Sequence, residues 1–113
     1  MLTLLELAKQ SYVAYCIAVE NQTFENKPTP AWSALRSGIQ AAWLSAAACV
    51  KQAGAEVSDD RVMGERAYTA YGDAVAWVNY AGAPLLKWEG MDELRQTAWS
   101  EFARYARSHE VIL

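Results

Sequence analysis

The sequence predicts an all-α fold, with two tandem helix-loop-helix repeats at a 56-residue period forming one four-helix domain. Three observations predict it. First, residues 12–47 fall on residues 68–103 without a gap. Tyr12, Ala14, Tyr15, Ala18, Val19, Pro28, Trp32, Gln40, Ala42, Trp43 and Ala47 meet Tyr68, Ala70, Tyr71, Ala74, Val75, Pro84, Trp88, Gln96, Ala98, Trp99 and Ala103, which is 11 identities in 36 positions. Tyr and Trp are uncommon residues, so two coincident pairs of each point to duplication rather than composition. Second, apolar residues on both sides of each loop recur at spacings of three and four, the period of a helix face. Third, Pro-bearing stretches with turn formers separate these runs. The repeats span about 3–54 and 58–108, within a single domain over 1–113. The loops leave room for short strands.

Thr3-Leu4-Leu5-Glu6 reads as a capping box opening a first helix over about 3–21. Its expected apolar face is Leu5, Ala8, Tyr12, Tyr15 or Cys16, and Val19. Asn21 to Ala31 breaks the pattern, since Pro28 and Pro30 exclude a continuing helix, and Phe24 is the apolar residue expected to pin the loop. Ser33 is the expected N-cap of the second helix, with Leu35, Ile39, Ala42 or Trp43, Ala46 and Val50 on one stripe. Gly54 is placed to end it in a left-handed conformation.

Ser58-Asp59-Asp60 supplies a cap and two acidic residues for the third helix, whose expected face is Val62, Ala67 or Tyr68, Tyr71, Ala74 or Val75, and Val78. Gly64 and Gly72 weaken it by roughly 1 kcal/mol each relative to Ala, and close packing would explain them. The second loop runs from Asn79 to Lys87. A fourth helix is expected over about 90–108, with Met91, Leu94, Ala98, Phe102 and Tyr105 inward. The tail from His109 to Leu113 ends apolar, free to fray, dock or meet a second chain.

Tyr12-x-Ala-Tyr-x-x-Ala-Val, Pro28-x-Pro-x-Trp32 and Gln40-x-Ala-Trp43 together resemble a small module of tailed bacteriophages and prophages. The second copy resembles it through Pro84-Leu85-Leu86-x-Trp88 and Gln96-x-Ala-Trp99. Leu86 departs from the module's second proline and Thr29 from its leucine. The loop-then-helix order is also loosely similar to ryanodine-receptor-type repeat domains. The phage resemblance covers most of the chain and implies origin as an accessory protein, rather than a chemistry.

A net charge of −3 with scattered basic residues argues against general nucleic-acid binding. Cys16 and Cys49 have neither zinc nor C-x-x-C spacing and read as buried free thiols. No secretory signal and no membrane-length apolar run is seen, so a cytoplasmic protein is expected, and the phage resemblance implies that the cytoplasm is that of a host bacterium. The single histidine, His109, is expected to be mobile, and Asp59 and Asp60 read as capping residues. With no glycine-rich phosphate loop, no catalytic, metal or cofactor site is expected.

The candidate binding residues are Trp32, Trp77, Tyr80, Lys87, Trp88 and Arg95. Trp32 and Trp88, at equivalent loop-helix junctions, either meet a ligand or plug each hairpin against Tyr12 and Tyr68. Gln40 and Gln96 are placed to hydrogen-bond their own loop backbones. Trp77 stands where the first copy has Asn21, so the shared fold does not demand it. With Tyr80, Lys87 and Arg95 it marks a contact surface specific to the second half, or ordinary packing. The expected function is a non-enzymatic phage protein acting on a host protein, with inhibition of a bacterial defence system as the analogy. The alternatives are a sponge for a nucleotide-like signal, bound between chains of a homo-oligomer, and a virion or assembly component.

Overall fold

The computed structural model describes residues 1–23, 25–79 and 81–112. Four helices carry the chain: α1 (Leu4–Ala18), α2 (Ser37–Ala53), α3 (Asp60–Ala74) and α4 (Glu93–Arg107). No strand forms among the described residues. Each loop holds one isolated bridge instead, Gln22 with Pro28 and Val78 with Pro84.

Local chemistry starts the helices. Thr3 and Glu6 exchange backbone and side-chain hydrogen bonds at 3.0 Å, completing the capping box. Asp59 caps α3 through the amides of Arg61 and Val62, and Asp92 caps α4 through that of Arg95. α1 stops earlier than expected because Glu20 and Asn21 turn to φ 59° and 57°. The Asn21 amide then reaches back to the Cys16 carbonyl at 2.8 Å, a Schellman closure. The second copy repeats it with Ala76, Trp77 and the Gly72 carbonyl.

Ser33 is not the cap of α2. Trp32–Ala34 forms a separate 3-10 turn, the chain re-extends at Leu35 and Arg36, and α2 begins at Ser37. Trp88–Gly90 does the same before α4. The interruption lets each Trp carbonyl point at a glutamine: Gln40 Nε2 donates to Trp32 O at 2.9 Å and Gln96 Nε2 to Trp88 O at 2.7 Å. Gly54 ends α2 at the expected positive φ, 56°, but its ψ of −133° lies outside the left-handed helical basin.

In the packing, α1 lies against α4 and α3 against α2, so each repeat's first helix meets the other repeat's second helix as well as its own, and α2 and α4 approach across the diagonal. At that diagonal the equivalent residues Trp43 and Trp99 stack at 4.9 Å with planes 14° apart. Tyr15 and Tyr71 each touch both tryptophans, at 4.9–5.6 Å. Exchanging positions 56 residues apart maps the four Tyr–Trp contacts onto one another and the Trp pair onto itself, which is the signature of an approximate two-fold axis through the Trp pair.

The core departs from the expected faces at their edges. Leu5, Val62 and Leu94 are exposed, while Leu7 and its equivalent Met63 are fully buried. Gly64 is explained by packing: a Cβ there would lie 2.9 Å from the backbone of Trp99 and Ser100. Of the cysteines, Cys16 is buried and Cys49 only partly so.

The tail docks rather than remaining mobile. The Leu2 amide donates to Glu110 O and the Ile112 amide to Leu2 O. The His109 ring stacks on Tyr105 at 4.1 Å. Lys51 Nζ donates to the carbonyls of Ala106 and His109 at 3.1 and 2.6 Å, placing a cation at the negative end of α4. Phe24, expected to pin the first loop, Tyr80, a candidate contact residue, and Leu113 lie outside the described residues.

Candidate functional site

The loop of the second repeat folds back onto α3 and leaves a shallow groove of about 430 Å³ between them. Tyr68, from α3, forms its floor. The phenol is buried, which raises its pKa, and its hydroxyl donates to the carbonyl of Leu86, tying the loop down. Trp77 and Trp88 flank that ring, with centroids 5.6 and 6.2 Å from it, and both are partly exposed. Glu65, Lys87 and Glu89 complete the rim.

Two features hold Trp77. Its indole Nε1 donates to Asp73 Oδ1 at 2.8 Å, and its ring covers Gly72, where a Cβ would meet it at 2.6 Å. Gly72 and Trp77 thus form a matched pair, replacing Cys16 and Asn21 of the first copy. The backbone of Trp77 stays at φ 60°, a conformation Asn adopts readily and bulky residues resist, with a cost of order 1–3 kcal/mol.

The rim is charged and unsatisfied. Glu65, Lys87 and Glu89 make no side-chain hydrogen bond or ion pair among the described residues, whose ion pairs lie elsewhere. The groove therefore presents two carboxylates and one ammonium around three aromatic rings.

The structure thus brings together Trp77, Lys87 and Trp88. Trp32 occupies the equivalent junction of the first repeat, 5.9 Å from Tyr12, whose hydroxyl donates to Pro30 O at 2.6 Å. The plug geometry against Tyr12 and Tyr68 is thus present in both copies, while the two tryptophans keep partial exposure. Around Trp32, Lys9, Asn21, Ala31 and Ser33 stand in place of Glu65, Trp77, Lys87 and Glu89, so the second Trp wall and both carboxylates are missing. Arg95 sits apart on α4. Its guanidinium pairs with Asp92 at 2.9 Å and is largely covered. Its charge also opposes the effect of burial on Tyr15, whose pKa is nevertheless raised, with desolvation the larger influence.

Sequence reasoning missed Glu65, Tyr68 and Glu89 as lining and Asp73 as the group orienting Trp77. One signal was available: Asp73 lies four residues before Trp77, and both it and Gly72 differ from their first-copy equivalents, Ile17 and Cys16. Glu65 also differs from its first-copy equivalent, Lys9, but its place was not readable, because it reaches the groove only through the fold-back of the loop.

Among the described residues, no group of three or more His, Cys, Asp or Glu side chains is placed to hold a metal ion, and no helix is long and apolar enough to cross a membrane. No protein-family model, curated protein or solved structure matches the chain.

Proposed function

We propose that this chain is a non-enzymatic binding protein of bacteriophage origin that acts in the cytoplasm of its bacterial host by protein–protein contact, as an inhibitor of a defence system would. The origin and the analogy to inhibitors rest on the resemblance of the duplicated module to phage accessory proteins. The contact reading rests on one observation. In the second repeat alone, Trp77 is held in a backbone conformation unfavourable to it, beside Trp88 and three rim charges without partners. Partly exposed Trp side chains next to unpaired charges are the composition of an interface anchor, since truncation of Trp, Tyr and Arg dominates binding energy at protein contacts. The groove supports a phosphate-bearing ligand less well: Lys87 is its one cation, and two carboxylates share the rim.

The test is capture from bacterial lysate on the immobilised chain, with mass spectrometry of retained proteins and small molecules beside the native mass of the chain. The proposal expects a host protein retained in stoichiometric amount. A nucleotide-like mass without a protein partner, or a large homo-oligomer that retains nothing, would contradict it.

A further inference from the structure

We infer that the groove of the second repeat receives an arginine side chain of the partner protein. This deepens the contact reading and rests on it.

The π faces of Trp and Tyr carry negative potential, and cations, guanidinium above all, are attracted over them. Tyr68, Trp77 and Trp88 surround one depression, Tyr68 in the middle. The two walls are fixed before any ligand arrives. Trp77 is held by Asp73 and by its seat on Gly72; the Trp88 ring leans on Tyr68, and its backbone is pinned by the Gln96 bond to its carbonyl. A pre-set aromatic slot spares the ordering cost that loose side chains incur on binding.

The rim selects the charge. Glu65 enters from α3 and Glu89 from the turn after Trp88, and neither has a partner among the described residues. A planar guanidinium can stack on an indole and donate in its own plane to a carboxylate at the same time, which an ammonium cannot do. Lys87 works against a cation. It is exposed, on a long flexible stem that can turn its charge to solvent, so it weakens the site without closing it. A phosphate would meet both carboxylates at the rim. The first repeat keeps the Tyr and Trp pair but carries Lys9, Asn21 and Ser33 at the places of Glu65, Trp77 and Glu89. It therefore lacks what a guanidinium needs, and the site belongs to the second repeat alone.

The experiment follows the indole N–H resonances of the 15N-labelled full chain. The five tryptophans are assigned by single Trp→Phe substitutions. The probes are a capped Gly-Arg-Gly peptide, its neutral citrulline analogue, and adenosine monophosphate. The arginine peptide is expected to shift Trp77 and Trp88 in a saturating manner, leaving Trp43 and Trp99 in place. The citrulline analogue should bind at least about tenfold more weakly, as should the Glu65→Gln/Glu89→Gln double variant, and Lys87→Gln should tighten binding about threefold. Unmoved Trp43 and Trp99 resonances in each variant show that the core is intact. Equal shifts with citrulline, shifts with the nucleotide alone, or no shift with any probe would overturn the inference. If it falls while a host protein is still captured, the contact reading stands and only the chemistry of the occupant is wrong. Loss of both removes the groove as a site.

Discussion

Ser11 shows how the two copies can be used to read each other at the level of a single residue. It is fully buried in α1, and its hydroxyl is the one buried side-chain polar atom with no hydrogen-bond partner among the described residues. The equivalent position in α3 is Ala67, also fully buried. An unsatisfied hydroxyl costs about 1–3 kcal/mol, and Ala is the better helix former. Ser11→Ala is therefore expected to leave stability unchanged or raise it by up to about 1 kcal/mol, read from urea denaturation; a loss of similar size would mean the hydroxyl has a partner. Several residue roles were legible without coordinates. Gln40 and Gln96 bond the loop carbonyls as their invariance under the 56-residue shift suggested. Trp77 was legible only as an oddity. Its positive φ could not be read from sequence, because a bulky side chain ordinarily argues against that conformation.

At the scale of the helix, the same devices serve both copies with different residues. In the first loop Thr23 Oγ1 accepts from the amides of Glu25 and Lys27; in the second Asn79 Oδ1 accepts from those of Ala81 and Ala83. Helix identity was readable, because capping residues, prolines and periodic apolar positions all agreed. Helix starts at the Pro-Trp loops were not, because a 3-10 turn has nearly the residue preferences of a first α-helical turn. Leu5, Val62 and Leu94 were misplaced for another reason: periodicity gives a stripe, but which edge of it is buried depends on where the neighbouring helices lie. The glycines of α3 were legible as a packing signal. Gly64→Ala adds helix propensity worth about 1 kcal/mol. Its methyl would nevertheless meet the backbone of α4, which cannot swing aside. A net loss of about 2 kcal/mol is expected in thermal or denaturant unfolding, whereas a gain would mean that α3 and α4 separate easily.

Across the whole molecule, a nearly symmetric interior carries an asymmetric surface. The stacked pair Trp43 and Trp99, with Tyr15 and Tyr71 around it, gives the two repeats an equivalent centre, although Phe102, fully buried against both tryptophans, stands where the first repeat has Ala46. Duplication was readable in the sequence because that interior constrains both copies alike. The groove was only half legible because its rim residues differ between copies and come together through the loop, not through spacing along the chain. The same asymmetry allows the groove of the second repeat to be tested as the contact surface. Its three exposed rim residues can be rewritten with their first-copy equivalents as Glu65→Lys, Lys87→Ala and Glu89→Ser, and the first repeat rewritten reciprocally as Lys9→Glu, Ala31→Lys and Ser33→Glu. Both variants alter only solvent-facing positions, so both should fold. The measurement is the amount of host protein each retains from lysate beside the unaltered chain. The variant altered in the second repeat is expected to lose the partner while the one altered in the first keeps it; full retention by the second-repeat variant would place the contact on another surface.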